Sequence, residues 1–191
     1  DADVWVSYLP EAGRLPAPGA VKTESSLAVY IASNANDRSG RHAYVADLMR
    51  HLPVDCYGAS HRNRTLADDD GQAAKLATIA RYRFTLAFEN SIARDYVTEK
   101  FYDALIAGSV PVVLGAPNVG EFAPADPSYV DVSDFPSPAD LASFLVALAG
   151  DEPRYAKYLA WKSGGFRPAF RDMLASVEVD PWTRLARRLA G

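Results

Sequence analysis

The sequence predicts an α/β domain in which helices flank a parallel β-sheet. Apolar runs typical of buried strands recur along the chain, at residues 27–33, 84–88 and 110–114, and a short strand is predicted at 54–57. Helical patterning lies between these runs, at about 41–51, about 72–81 and from Thr98 onward. Strands that alternate with helices indicate parallel pairing through crossover connections. We therefore expect one sheet with helices around it and no internal repeat.

The remaining segments add an edge strand, further helices and a linker. A short edge strand is predicted at 128–132, and helices are predicted at 138–150, about 153–161, 168–176 and 181–189. Pro138 supports the first of these helices, because proline is favoured at the first helical position. Residues 1–26 contain three prolines and two glycines and are predicted to be a linker. The folded domain is therefore expected to be 27–191.

Composition excludes several classes of partner. The chain has 191 residues, 49% of them apolar and 23% charged, which is ordinary for a soluble globular domain. A net charge of −4 argues against binding to nucleic acid or to a membrane surface. No apolar run approaches the roughly 18 residues of a membrane span, and the first residues lack a signal-peptide pattern. Cys56 is the single cysteine, so we expect a buried thiol and no intrachain disulfide.

The most informative segment runs from residue 84 to residue 115. It is predicted to form a buried strand, a polar loop, a helix that opens at Thr98, and a second buried strand. An asparagine, a tyrosine, a carboxylate and an ammonium group all fall between Asn90 and Lys100. Open α/β sheets bind ligands at the carboxyl ends of strands and the amino ends of helices. The segment therefore predicts a ligand-binding site.

Lys100 occupies an unusual position for a lysine. Thr98 is a good N-cap, so Glu99 and Lys100 lie in the first turn, where exposed backbone N–H groups make the helix end positive. Glu99 suits that position, whereas a cation there costs roughly a few tenths of a kcal/mol unless an anion lies nearby. A ligand diphosphate would supply that anion. We therefore interpret Lys100 as a phosphate-binding residue.

Other polar residues around the predicted strand ends are further candidates. Asn90 and Ser91 end the strand, although an asparagine there is also typical of a turn that bonds its own backbone. Glu89 lies within an apolar strand, and a buried carboxylate needs a partner. We expect Arg38 or Arg41 either to be that partner or to reach a phosphate, whose oxygens a guanidinium binds in pairs.

The signals for metal binding and nucleophilic catalysis are weak. Asp68-Asp69-Asp70 resembles the carboxylates that hold a divalent metal under a nucleotide diphosphate, but aspartates before a helix more often cap it. His42, His51 and His61 show no ligand spacing. The sequence has no Ser/His/Asp or Cys/His arrangement, no GxGxxG after a strand and no GxxxxGK[ST]. We expect no metal and no cofactor.

Four segments together match one family. They are SNANDRSGR at 33–41, FENSIARDYVTEK at 88–100, ALIAGSVPVVLGAPN at 104–118 and SYVDVSDFPSPADLASFL at 128–145. On these segments the chain resembles the C-terminal, donor-binding half of the α1,3/4-fucosyltransferases, glycosyltransferase family 10. The resemblance covers most of the chain from about Leu27 to Trp161, and its FEN…DYVTEK block is highly specific to that family.

The resemblance implies a fold, a donor substrate and a set of site residues. The fold is a Rossmann-like parallel sheet with flanking helices, the C-terminal half of a two-domain GT-B glycosyltransferase. Lys100 and Arg41 (or Arg38) would hold the diphosphate of GDP-fucose, and Glu99 would accept hydrogen bonds from fucose hydroxyls. These make Lys100, Glu99 and Arg41 the candidate catalytic residues. The candidate donor-binding residues are Arg38, Asn90, Ser91, Tyr96, Val97 and Thr98. The family works without a bound metal.

The implied reaction is an inverting α1,3-fucosyl transfer from GDP-fucose to a glycan. Lys100, an arginine and the helix amino end at Thr98 would stabilise the charge on the leaving diphosphate. The family's general base is a glutamate in an amino-terminal acceptor domain. We expect that domain to be absent from this chain, which alone would bind the donor without transferring fucose. The expected location is the Golgi lumen for a eukaryotic source and the cytoplasm for a bacterial one.

The subgroup and two other functions remain open. The stretch from Asp95 to Pro124 is most similar to enzymes that fucosylate the core of plant N-glycans, whereas YAKYLAWKSGG resembles the branch that fucosylates proteins. A second interpretation is that the chain is a sugar-nucleotide binding module without catalytic activity. An unrelated flavodoxin-like regulatory domain is a third interpretation, which requires Lys100, Glu99 and Tyr96 to be incidental.

Overall fold

The computed structural model describes residues 21–65 and 71–178 of the chain. Within these ranges the strands are β1 Ala28–Ile31, β2 Val54–Tyr57, β3 Phe84–Phe88, β4 Val110–Leu114 and β5 Val130–Asp131. The helices are α1 Arg41–Leu48, α2 Gln72–Ala80, α3 Glu99–Ala107, α4 Pro138–Gly150, α5 Glu152–Leu159, α6 Trp161–Gly164 and α7 Pro168–Glu178. Two short 3₁₀ turns are formed by Val119–Phe122 and Val132–Asp134.

The five strands form one parallel sheet in the order β2-β1-β3-β4-β5. The chain moves outward from β1 to β2, crosses back over β1, and then continues outward through β3, β4 and β5. The direction of winding therefore reverses between β1 and β3. The loops that leave the carboxyl ends of these two strands diverge to opposite faces and open a crevice, which is where such sheets bind ligands.

Strand alternation divides the core between the two faces of the sheet. Phe84, Leu86 and Phe88 point to the face that packs against α1, α4 and α5. Ala87 points to the opposite face, which is covered by α3 together with Trp161 and Phe170. Because side chains alternate along a strand, the residue that follows Phe88 is directed toward the α3 face. That residue is Glu89, and its direction determines the geometry of the site.

The predicted α/β architecture is confirmed. Strands 54–57, 84–88 and 110–114 have the predicted bounds, and the predicted strand at 27–33 is shortened to Ala28–Ile31. The predicted helix at 153–161 is divided, with α5 ending at Leu159 and α6 beginning at Trp161. The predicted helix at 181–189 lies outside the described residues. None of the helices in the described ranges has the length and apolar character needed to cross a bilayer.

Part of the predicted linker packs against the domain. Residues 1–20 lie outside the described residues, but 21–26 run beside the amino end of β3. The ammonium group of Lys22 donates to the carbonyls of Ala80, at 2.9 Å, and Gly108, at 2.7 Å, at the carboxyl ends of α2 and α3. Burial and the neighbouring Lys162 and Arg83 lower the pKa of Lys22 to about 8. The described end of the segment is thus attached to two helices.

Gly58 allows the loop after β2 to approach β1 closely. Its φ is +85°, and a Cβ atom there would lie 2.7 Å from the carbonyl oxygen of Ala32 and 2.8 Å from Oγ of Ser33. The same Ala32 carbonyl accepts a hydrogen bond from the Ser60 backbone, at 3.0 Å. A side chain at position 58 would therefore push apart two loops at the carboxyl edge of the sheet.

Gly58→Ala is expected to lower the free energy of unfolding by about 1–3 kcal/mol, because alanine is strained at this φ and its methyl group meets backbone. Urea unfolding followed by circular dichroism measures the change. Gly150→Ala is the matched control, since a Cβ at Gly150 meets nothing within 4 Å. Equal unfolding midpoints for Gly58→Ala and the unaltered chain would contradict this account of the loop.

Candidate functional site

A cavity of about 550 Å³ opens at the carboxyl ends of β1 and β3, the crevice where the sheet reverses direction. We call it the first cavity. Its lining combines the end of β1 and the loop after it, one residue each of α1 and α2, the loop after β3 and the amino end of α3. These residues are Ile31, Ala32, Ser33, Asn34, Arg41, Lys75, Asn90, Tyr96, Thr98, Glu99 and Lys100. Six of the nine predicted site residues, including Lys100, Glu99 and Arg41, are therefore brought together here.

A buried carboxylate organises this edge of the sheet. Glu89 is 3% exposed, and its Oε1 accepts hydrogen bonds from the Thr98 backbone N–H, at 2.9 Å, and from the Thr98 hydroxyl, at 2.6 Å. Its Oε2 accepts one from the Lys100 ammonium group, at 2.8 Å. Lys100 also donates to Thr98 Oγ1, at 2.9 Å. Glu89, Thr98 and Lys100 thus form a closed network that ties the end of β3 to the start of α3.

This network corrects two interpretations drawn from the sequence. Neither Arg38 nor Arg41 is the partner of Glu89; Lys100 and Thr98 are, because strand alternation directs Glu89 to the α3 face. The anion that a lysine needs at a helix amino end is also present in the protein itself. Glu89 supplies it, so the position of Lys100 does not by itself require a phosphate. Thr98 is confirmed as the N-cap of α3.

Nearby charges determine the ionisation of Lys100 and Glu99. Burial opposes the charged form of Lys100, but attraction to Glu89 and Glu99 outweighs burial and raises the pKa of Lys100. Burial likewise opposes ionisation of Glu99, but Lys100 and then Lys75 outweigh it and lower the pKa of Glu99. The stabilisation from Lys100 is lost only as pH rises through its raised pKa, and that from Glu99 only as pH falls through its lowered pKa. Both groups are therefore charged at neutral pH.

Gly115, which follows β4, makes room for Glu89. A Cβ atom on Gly115 would lie 2.9 Å from Cγ and 3.3 Å from Cβ of Glu89. The Glu89 backbone N–H is held nearby by the Leu114 carbonyl, at 2.8 Å, so the glutamate has little freedom to retreat. A glycine is required here because the carboxylate side chain occupies the space that a larger residue would need.

Arg41 is buried and holds the loop after β1. It is 1% exposed, and its Nη1 donates to the Phe88 carbonyl at 3.1 Å. Its Nη2 donates to the carbonyls of Asn34, at 2.7 Å, and Asn36, at 3.3 Å. Arg41 therefore connects this loop to the end of β3 and directs several donors at backbone oxygens. What it offers the first cavity is a fixed positive charge at the cavity wall.

The other predicted residues occupy different positions. Tyr96 and Asn90 line the first cavity and contact each other, with the Tyr96 hydroxyl donating to Asn90 Oδ1 at 3.1 Å. The Val97 side chain packs in the core beneath α3, so a contact with a ligand would come from its backbone. Arg38 is exposed and Ser91 is half-buried, and neither lines the first cavity. The Arg38 backbone N–H does bind the Asn90 carbonyl, at 2.9 Å, which joins the two loops.

Two residues of the site were not predicted from the sequence. Asp103 lies on the buried side of α3. Its Oδ1 accepts a hydrogen bond from the Gln72 amide, at 2.7 Å, and its Oδ2 forms an ion pair with the Lys75 ammonium group, also at 2.7 Å. Lys75 lines the first cavity and also a second cavity of about 580 Å³, bounded by Ser33, Gly58, Arg62, Arg64 and Gln72 among others. The sequence did contain a signal for this pair. Asp103 lies within the apolar helix segment FYDALIA, and a buried carboxylate needs a partner.

The described residues contain no group of three or more His, Cys, Asp or Glu side chains arranged to hold a metal ion. Asp68-Asp69-Asp70, the weak metal-binding candidate of the sequence, lies outside the described residues. The expectation that no metal is needed stays a prediction. Cys56 is buried in β2, as expected, and burial raises the pKa of its thiol to about 11.

Comparison with known proteins identifies the family. Residues 21–188 match the model of the C-terminal region of glycosyltransferase family 10, the fucosyltransferases. This chain belongs to that family. A GDP-fucose protein O-fucosyltransferase 3 from Gallus gallus is 41% identical over 145 residues, covering 72% of this chain and 30% of the relative. Human alpha-(1,3)-fucosyltransferase 7 is 40% identical over 170 residues, covering 85% of this chain and 46% of the relative.

Solved structures show the same architecture. The crystal structure of an α1,3-fucosyltransferase with GDP superposes with a TM-score of 0.62 at 26% identity, covering 86% of this chain and 49% of that chain. The fold is therefore the Rossmann-like domain of a GT-B fucosyltransferase. The chain spans less than half of the length of each of these relatives.

Gly115→Ala is expected to lower the free energy of unfolding by about 1–3 kcal/mol, the usual range for an overpacked site, because the added methyl group displaces Glu89 from Thr98 and Lys100. Chemical denaturation measures the loss. Gly164→Ala serves as the control, since a Cβ there meets nothing within 4 Å. If Gly115→Ala were as stable as Gly164→Ala, the close packing of Gly115 on Glu89 would be wrong.

Proposed function

We propose that this chain is the donor-binding part of a fucosyltransferase and binds GDP-fucose in the first cavity. The observation that carries the proposal is the meeting of Glu99, Lys100, Asn90 and Tyr96 at the β1/β3 crevice of a chain that belongs to glycosyltransferase family 10. A relative that is 41% identical is named for the use of GDP-fucose. A crevice of this kind is also the ordinary ligand site of such a sheet.

The roles of the residues follow from their chemistry. Lys100 keeps its positive charge at neutral pH and lies at the amino end of α3, so it suits the diphosphate. Glu99 is ionised and half-buried, so its oxygens suit fucose hydroxyls, which donate to carboxylates. Tyr96 and Asn90 are held together and suit the ribose and phosphate. Arg41 contributes a fixed charge rather than freely directed donors.

The reaction to which this site would contribute is an inverting displacement. The acceptor hydroxyl oxygen forms a bond to the fucose anomeric carbon, and the bond from that carbon to the GDP oxygen breaks on the opposite side. The electron pair leaves with GDP, and the acceptor proton passes to a general base. Lys100 and the amino end of α3 would stabilise the charge that grows on the diphosphate. In this proposal the described residues supply donor binding and leaving-group stabilisation.

The acceptor is the open part of the proposal. A glycan acceptor with α1,3 linkage is supported by relatives named as α1,3-fucosyltransferases. A protein acceptor is supported by relatives named as protein O-fucosyltransferases, which agrees with the resemblance of YAKYLAWKSGG to that branch. A location in the Golgi lumen, or in the cytoplasm of a bacterium, likewise depends on the source. Use of an acceptor domain and catalysis without a metal are parts of the same proposal.

Calorimetric titration with GDP, GDP-fucose, UDP and ADP, each with and without EDTA, tests donor binding. We expect saturable binding of the two guanine nucleotides, weaker or no binding of UDP and ADP, and no effect of EDTA. Circular dichroism of the same sample confirms that it is folded. A folded chain that binds no guanine nucleotide would overturn the proposal, and binding abolished by EDTA would overturn its metal-free form.

Two substitutions separate the roles of neighbouring residues. Lys100→Ala is expected to weaken GDP and GDP-fucose alike by about tenfold or more, because Lys100 acts on phosphate. Glu99→Ala is expected to weaken GDP-fucose while leaving GDP nearly unchanged, because Glu99 acts on the sugar. Lys157→Ala, an exposed position on α5, is the control and should bind both as the unaltered chain does. Equal losses for both ligands in Glu99→Ala would show that Glu99 does not recognise the sugar.

A further inference from the structure

Lys75 lies where the two cavities meet. Ile31, Ser33 and Lys75 line both the first and the second cavity, so the two cavities adjoin at this point. The Lys75 ammonium group is 2.7 Å from Oδ2 of Asp103. The Lys75 side chain is 23% exposed, whereas that of Asp103 is 4% exposed. The ammonium group is therefore anchored from the interior and presented at the junction of two openings.

Asp103 is itself held in place. Its Oδ1 accepts the Gln72 amide at 2.7 Å, while Oδ2 faces Lys75, and Gln72 and Lys75 lie three residues apart on α2. One carboxylate oxygen thus accepts a hydrogen bond and the other forms an ion pair, both with positions of the same helix. Asp103 also lies one turn after Glu99 on α3, and Lys75 lies close enough to Glu99 to favour its ionised form. This arrangement orients Lys75 toward the ligand site.

Charge around the first cavity is balanced without a ligand. Three cations and three carboxylates lie in or beside its wall: Arg41, Lys75, Lys100, Glu89, Glu99 and Asp103. Arg41 donates to backbone carbonyls, and Lys100 donates to Glu89 and Thr98. Among the described residues, Asp103 is the one side chain within ion-pair distance of Lys75. An ammonium group carries three donors, so Lys75 has donors left for an anion.

We propose that Lys75, oriented by Asp103, is a further donor-binding residue that contacts the diphosphate of a sugar nucleotide lying across both cavities. The inference rests on the proposed function. In a sugar nucleotide the diphosphate joins the sugar to the nucleoside. A ligand with its sugar beside Glu99 and its base in the second cavity therefore spans the junction of the two cavities, and its diphosphate lies within reach of Lys75. The contact is a charge-assisted hydrogen bond between an ammonium group and a phosphate oxygen.

Titration calorimetry of the full chain with GDP-fucose, GDP and guanosine tests this role. Lys75→Met is expected to weaken GDP-fucose and GDP about tenfold or more while leaving guanosine unchanged. Lys75→Arg keeps the charge and is expected to remain within about threefold of the unaltered chain. Lys75→Met combined with Asp103→Asn removes both charges, so no unpaired carboxylate is buried, and this variant is expected to show the same loss as Lys75→Met.

The controls distinguish this inference from the proposed function. Lys157→Met, at an exposed position on α5, should bind all three ligands as the unaltered chain does. If the unaltered chain binds no guanine nucleotide, the proposed function fails and the role of Lys75 fails with it. If the unaltered chain binds GDP-fucose and both Met variants bind it equally well, only the role of Lys75 is overturned. Equal weakening of guanosine would likewise overturn a phosphate contact.

Discussion

The buried carboxylate of Glu89 is the interaction on which the site edge depends. Its two oxygens receive the Thr98 backbone, the Thr98 hydroxyl and the Lys100 ammonium group, which fixes the start of α3 against the end of β3. Removing one member of a buried pair typically costs about 3–5 kcal/mol, because the other charge is left without a partner. Position 115 must be a glycine because the Glu89 side chain fills the space that a Cβ atom there would need. Glu89 therefore holds the Lys100 ammonium group in place and favours its charged form.

The site is held in shape by contacts made within the protein. Arg41 and the backbone of Arg38 join the loop after β1 to the end of β3 and to Asn90, so the two loops that border the crevice are fixed to each other. The positive and negative side chains in and beside the wall of the first cavity are also equal in number. Affinity for an anionic ligand must then come from the placement of individual donors rather than from surplus positive charge. That is consistent with a chain whose net charge is −4.

Much of the fold could be predicted because local patterns determine it. Three strands have the predicted bounds, because a polar residue, a glycine or a proline flanks each of them on both sides. Thr98 is predicted as the N-cap of a helix because threonine is favoured at that position, and it caps α3. The need of Glu89 for a partner was also predicted. Its partner was not, because that choice depends on which helix covers the face to which Glu89 points.

The sequence by itself determined the α/β class, the family and the location of the candidate site between Asn90 and Lys100. These depend on periodicity and on contiguous motifs, which a linear sequence carries in full. The tertiary structure decided which charges meet. Glu89 with Lys100, and Asp103 with Lys75, are separated in sequence by 11 and 28 residues. Such pairs form because strand alternation and the reversal of the sheet between β1 and β3 bring separate elements to one edge, which no local pattern encodes.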